Sequence, residues 1–181
     1  EYQVTGLPSY TQLGMAAMLP HKELSLGEGE SILADGVSTI GLQGRQKILQ
    51  MNAGVSAAAI TAEDLMRMSS KGAEAQELIQ GHNLIYVYHN RIDKLGDDKT
   101  TEDKVIEASR EEIAFLMEVV KKIGNMNGTH VVITSDHGFI YQHEELAESD
   151  FTDAQIEGTI YRDSRRYVIG ENLTHNQNVM K

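Results

Sequence analysis

Three stretches of this sequence carry side chains able to do chemistry at the ends of regular elements. The first is Val131-Val132-Ile133-Thr134-Ser135-Asp136-His137-Gly138-Phe139. A β-branched run closed by Gly138 reads as a buried parallel strand. Ligands of open α/β sheets collect outside the carboxyl ends of the strands. Asp136 and His137 stand at such an end, a hard carboxylate oxygen beside an imidazole nitrogen, which is a pairing suited to a divalent metal. The competing reading is a turn in which Asp136 caps the next segment and His137 is merely exposed.

The second stretch runs from Thr5 to Pro20. Gly6 and Pro8 make a loop, Pro8 biases Leu7 away from helix, and the Met-, Leu- and Ala-rich run Gln12–Leu19 predicts a helix that Pro20 stops. Ser9 or Thr11 then falls at the helix start. Either is a plain cap, or a hydroxyl nucleophile facing an anion held at the helix's positive end. A nucleophile there needs a nearby cation to become an alkoxide at neutral pH.

The third is Asn83-Leu84-Ile85-Tyr86-Val87-Tyr88-His89, a strand running into Asn90-Arg91-Ile92-Asp93-Lys94-Leu95-Gly96-Asp97-Asp98. Asp93 and Asp97, four apart around Gly96, could aim two carboxylates at one metal, or belong to a solvated loop. His89 and Arg91 read as supports of the metal ligands, as anion contacts, or as parts of a strand edge.

The elements between these stretches must position them. Thr100-Thr101-Glu102-Asp103 predicts the cap of the longest helix, with Val105, Ile106, Ile113, Leu116, Met117, Val120 and Ile123 as its core stripe and Gly124 as its stop. Strand 84–89, helix 100–123 and strand 130–135 then make a parallel βαβ crossover, bringing the Asp93 loop and the Asp136-His137 tip to one sheet edge. Residues 21–39 read as irregular, with a short strand or hairpin. Helices are expected over 45–51, from the Thr61 cap to Met68, and over 74–80. Val55–Ile60 reads as a strand or a helix start. Short strands are expected at 158–161 and 166–169. Arg162, Arg165 and Arg166 form a basic group that binds a substrate phosphate or pairs with surface acids.

Composition bounds the rest. The 181 residues suit one α/β domain or a large part of one, with 40% hydrophobic and 24% charged residues. There is no cysteine, so a metal must be held by Asp, Glu, His, Ser or Thr. No run is apolar enough to span a bilayer. Glu1–Thr5 carries neither an initiator Met nor a signal peptide and reads as part of a longer protein. A net charge of −11 argues against a surface built wholly for phosphate backbones. It leaves room for nucleic acid at an acidic metal site.

Taken together, three sets of words resemble the alkaline phosphatase superfamily, and within it the PglZ-domain branch. They are Leu7-Pro8-Ser9-Tyr10-Thr11-Gln12-Leu13-Gly14-Met15-Ala16-Ala17, then Tyr88-His89-Asn90-Arg91-Ile92-Asp93 with Gly96-Asp97 and Thr101-Glu102-Asp103, and Thr134-Ser135-Asp136-His137-Gly138-Phe139. The resemblance implies an α/β fold, an alkaline-phosphatase-like sheet sandwiched between helices. The chain would be a single domain over 1–181, lacking the first strand and the C-terminal closing segment.

The implied activity is that of a metal-dependent phosphoester hydrolase, a phosphodiesterase or phosphatase, with a two-metal centre. Thr11 matches the nucleophile. Asp93 and Asp97 match the ligands of one metal, Asp97 standing where His is common. Asp136 and His137 match the ligands of the other. The oxygen-rich set leaves zinc or manganese, with magnesium as an alternative. An Asp expected before Glu1 and a late His expected after Lys181 are missing, and His175 is a poor substitute. The isolated chain is therefore expected to bind metal weakly or not at all and to be inactive. The resemblance further implies a cytoplasmic component of bacterial anti-phage defence of the BREX/Pgl type, without membrane association. Its partners would be methylase and ATPase proteins, and its substrate a phosphoester, with nucleic acid as first guess. The alternative is a catalytically vestigial scaffold in a defence complex.

Overall fold

Asp35-Gly36 supplies the sharpest local instruction in the first third of the chain. Both residues take positive φ, 49° and 78°, as a two-residue hairpin turn of the right twist requires. In the computed structural model, which describes residues 8–28, 31–92, 105–138, 155–164 and 167–174, this turn joins β2 (Ile32–Ala34) to β3 (Val37–Ser38). β1 (Leu24–Leu26) pairs antiparallel with β2, giving the order β1-β2-β3. The expected hairpin within 21–39 is therefore present, and Asp-Gly is the signal that fixes it.

Upstream lies α1 (Thr11–Ala17), shorter than the expected 12–19 run. Its Ala16 packs with Tyr10 and Ile32. Downstream, α2 (Gly41–Asn52) buries Ile48 and Leu49 completely and covers β4 (Ala57–Thr61). The Gln46 side-chain amide donates to the Ala57 carbonyl and accepts from the Ala59 N–H. One side chain thereby satisfies two backbone groups of β4 that a neighbouring strand would otherwise bond.

β4 pairs in parallel with β5 (Leu84–Tyr88), in a register from Ala57 opposite Leu84 to Thr61 opposite Tyr88. The crossover consists of α3 (Ala62–Arg67) and α4 (Ala73–Gly81). Thr61 caps α3 as expected, its Oγ1 accepting from the Asp64 N–H at 3.1 Å. After β5 comes α5 (Val105–Asn125); the Thr100–Asp103 cap lies outside the described residues. The helix passes the expected Gly124 stop and ends in a Schellman motif. Asn127 takes φ 68°, its N–H reaches the Gly124 carbonyl, and the Gly128 N–H reaches that of Ile123.

Two expectations are corrected here. The buried face of α5 is Ala108, Glu112 and Val119, continued by Met126 beyond the helix end, whereas Ile113 and Met117 of the predicted core stripe are exposed. The helix has apolar residues on more than one face, and tertiary packing chooses the one that includes a carboxylate. The β-branched run Val131–Thr134 is not a strand, and Val132 is 88% exposed. Such a run is stable as a strand only with a neighbour to bond and a covered face, and among the described residues it pairs with no strand. Of the expected βαβ unit, the first strand and the helix are present.

The last described element is the antiparallel hairpin of β6 (Glu157–Asp163) and β7 (Val168–Thr174), longer than the two short strands expected. The fold class is thus α/β, with helices and three small sheets among the described residues.

Candidate functional site

Thr11 is the first residue of α1, and the preceding Tyr10 is extended, at φ −149° and ψ 155°. The Gly14 N–H closes the first turn on the Tyr10 carbonyl at 3.0 Å. Residues three apart on a helix share a face, so Thr11 and Gly14 look the same way. That face meets the Asp136-His137 turn. A Cβ on Gly14 would lie 2.4 Å from the Asp136 carbonyl oxygen and 3.0 Å from the Asp136 Cβ. Only a residue without a side chain lets the helix approach this closely.

The close approach has a chemical result. Thr11 Oγ1 lies 3.1 Å from His137 Nε2, across 126 residues of sequence. The other ring nitrogen, Nδ1, is 3.0 Å from the Gly138 carbonyl. A carbonyl can only accept, so Nδ1 carries a proton; with the ring neutral, Nε2 is the acceptor that faces the Thr11 hydroxyl. Ser135 Oγ donates to the His137 carbonyl, tying down the turn. Asp136 Oδ2 lies 3.7 Å from His137 Nε2, and both side chains are 15% exposed. A hydroxyl oxygen, an imidazole nitrogen and a carboxylate oxygen thus converge on one half-buried point.

This donor set fits a cation chemically: hard oxygens with one imidazole, the Nε2 lone pair directed away from the nitrogen that Gly138 fixes. Asp136 and His137 bring together one carboxylate and one imidazole, and among the described residues no cluster of three or more His, Asp or Glu is placed to hold a metal. Asp93 and Asp97 lie outside the described residues, as do Arg165, Arg166 and His175.

The stem leading to Asp93 is described as far as Ile92, and it is held by a buried carboxylate. Glu112 on α5 is 1% exposed. Its Oε2 bonds to His89 Nε2, and its Oε1 lies 2.9 Å from Arg91 Nη1. His89 Nδ1 is 3.4 Å from Glu63 Oε1, and the ring packs on Phe115 at 4.8 Å. Arg91 also reaches Glu111 at 2.6 Å. A buried carboxylate without such partners would be strongly unfavourable. His89 and Arg91 are therefore clamped to α5 rather than free at a strand edge. Next to them, burial pushes the Tyr88 phenol up to about 12, although the Arg45 guanidinium 4.6 Å from its ring centre opposes that shift.

Sequence reasoning missed four contributors. Gly14 was signalled by a glycine inside a helical pattern, which costs about 1 kcal/mol against alanine and so implies a packing reason. Glu112 gave no signal, because a Glu among helical charges looks solvent-exposed. Tyr10 and Tyr167, whose rings stack at 5.0 Å, are visible only once the chain is folded.

Over residues 1–181 the chain matches the family described as the BREX system PglZ alkaline phosphatase-like domain. It is 42% identical over 176 residues to the alkaline phosphatase-like protein BrxZ of Escherichia coli O9:H4 (strain HS), covering 94% of this chain and 20% of that protein. It is 32% identical over 169 residues to the alkaline phosphatase-like protein PglZ of Bacillus cereus (strain H3081.97), covering 90% of this chain and 19% of that protein. The chain thus spans about a fifth of the length of these relatives. No solved structure matches it.

Proposed function

We propose a function on the footing that the chain belongs to the PglZ family of BREX alkaline phosphatase-like domains. It is the phosphoester hydrolase part of a longer bacterial anti-phage defence protein. Thr11 is the nucleophile, and the substrate is a phosphodiester, with nucleic acid as the first candidate. The contact between Thr11 Oγ1 and His137 Nε2 carries the reading. It brings a hydroxyl at a helix start to an imidazole from the far end of the chain, at a turn that also presents a carboxylate.

Asp136 and His137 would hold one divalent ion, and Asp93 and Asp97 a second, zinc or manganese before magnesium. When bound, such ions lower the pKa of a coordinated hydroxyl and offset charge on the entering and leaving oxygens at phosphorus. This chain's own residues do the remainder. Gly14 and the 135–138 turn fix Thr11 against His137, and the Asp136 carboxylate keeps the pocket suited to cations. The Thr11 oxygen forms a bond to phosphorus as the bond to the leaving oxygen breaks; the proton from the Thr11 hydroxyl goes to water, and the leaving oxygen takes a proton from water to depart as the alcohol. Water then cleaves the phosphothreonine, restoring the hydroxyl and releasing phosphate or a phosphomonoester.

In the whole protein, methylase and ATPase partners of the defence system and a cytoplasmic location accompany this role. The test is hydrolysis of a chromogenic phosphodiester by the whole protein with zinc or manganese. Activity abolished by Thr11→Ala supports the enzyme; absence of turnover with every metal supports a scaffold that keeps the fold alone.

A further inference from the structure

α1 is seven residues long. A helix of that length is marginal by itself, so packing decides where this one sits. It is held from two sides. Thr11 and Gly14 meet the Asp136-His137 turn. The helical turn puts Ala16 on the far side from them. There Ala16 and Tyr10 join Ile32 in a buried cluster, against which Tyr167 and Ile169 pack.

This second hold comes from the β6–β7 hairpin. Tyr167, at the start of β7, is two residues from Ile169 and shares its face, and Arg162 stands opposite Ile169 in the hairpin register. The Tyr167 and Tyr10 rings lie 5.0 Å apart with their planes inclined by 31°. The Arg162 guanidinium completes the stack, its carbon 5.2 Å from the Tyr10 centre and 5.5 Å from the Tyr167 centre. Ring pairs and a cation over their faces attract beyond the area they bury. The Tyr10 side chain makes no capping bond to α1, so its ring acts on the helix start through packing. Tyr10 is 7% exposed, its carbonyl accepts the Gly14 N–H that closes the first turn, and the next residue is Thr11. A fixed Tyr10 therefore fixes the backbone from which the Thr11 hydroxyl projects.

We propose that Tyr167 is a positioning residue for Thr11: stacked on Tyr10, it holds the start of α1 against the Asp136-His137 turn from behind. The proposal rests on the hydrolase reading of Thr11. It gives the β6–β7 hairpin a part in the reaction without contact with the reacting atoms, and it makes Arg162 a support of the stack. With the Tyr167 ring gone, Tyr10 can settle into the space left behind it, and the Thr11 oxygen draws away from His137. A misplacement of about 1 Å at a reacting atom costs on the order of 100-fold in rate.

The test separates rate from folding. Hydrolysis of a chromogenic phosphodiester by the whole protein, with zinc, is followed for Tyr167→Leu and Tyr167→Phe at a temperature well below the melting midpoint of each. Phe keeps the flat ring; Leu keeps apolar bulk without it. The expected result is a kcat lowered about tenfold or more in the Leu protein, with KM and bound zinc unchanged, and a kcat within about twofold of wild type in the Phe protein. A wild-type kcat in the folded Leu protein overturns the proposal, and a lowered melting temperature alongside it assigns Tyr167 to packing alone. A Phe protein as slow as the Leu protein overturns it as well. So does zinc lost together with kcat in the Leu protein, because the effect then reaches the metal ligands instead of Thr11. If the Leu protein does not fold, Tyr167→Met, which fills more of the space, decides by the same readings. The hydrolase reading falls by a different result, full turnover in the Thr11→Ala protein.

Discussion

Gly14 lies against the backbone of Asp136 so closely that a methyl group on it would stand 2.4 Å from the Asp136 carbonyl oxygen. This contact seats α1 on the turn and brings the Thr11 hydroxyl to His137. Gly14→Ala thus sets two effects against each other. Helix propensity favours Ala by about 1 kcal/mol, whereas overpacking against a backbone atom costs about 1–3 kcal/mol. Because a carbonyl cannot turn aside like a side-chain tip, overpacking should win. We expect a lower denaturation midpoint and, on the proposed hydrolase reading, loss of phosphodiester hydrolysis by the whole protein. A midpoint higher than wild type would show that α1 does not depend on this contact.

Glu112 should be the most sensitive charged position of α5. Removing one partner of a buried ionic cluster typically costs about 3–5 kcal/mol, so Glu112→Ala should approach that range in denaturant titrations. Glu111→Ala, which removes a half-exposed partner of Arg91, should cost under about 1 kcal/mol. A double-mutant cycle between His89 and Glu112 should give a coupling well above that of an exposed pair. Near-zero coupling would assign the cost of Glu112→Ala to packing instead.

Tyr88 links stability to alkaline pH. Its folded-state pKa is raised by burial to about 12 from an ordinary value of 10.0. Folding therefore favours the neutral phenol, and the stability it contributes is complete below pH 10 and declines as pH rises towards 12. Absorbance titration of the phenolates should show a late-ionising component, to which Tyr86 and Tyr161 also contribute because their phenols are raised as well, and Tyr88→Phe should reduce that component by one group. Titration of every tyrosine near pH 10 would count against the burial.

Asp35 acts in the opposite range. The Lys22 N–H first, then those of Glu23 and Asn52, donate to its carboxylate and hold its pKa below the ordinary 3.8. The stability from these bonds is present above that value and is lost as pH falls through the lowered pKa. Asp35→Asn should flatten the acid limb of a stability–pH curve measured between pH 5 and pH 2. An unchanged acid limb would remove Asp35 from the account.

On the proposed hydrolase reading, metal content separates the role of Asp136 from that of Thr11. In the whole protein, Asp136→Ala should lose bound metal and, in consequence, activity, whereas Thr11→Ala should lose turnover while keeping most of its metal. Elemental analysis after gel filtration reads both. Full metal content in the Asp136→Ala protein would show that Asp136 is not a ligand.

The sequence alone determined whatever depends on neighbours along the chain. The Thr61 cap, the strand Leu84–Tyr88 and the long amphipathic helix were legible because propensity, capping and periodicity act over a few residues. So were the motif words of the PglZ family, which set Thr11, Asp136 and His137 apart before any contact was known. The tertiary structure decided which face of α5 is buried, and it placed Glu112 there, a choice settled by the partners His89 and Arg91. It also left Val131–Thr134 outside any strand, because β-branched residues form one only where a neighbouring strand can bond them. It alone joined Thr11 to His137 and Arg162 to Tyr10. Residues 126 and 152 positions apart meet through packing, and no local pattern encodes the distance between them.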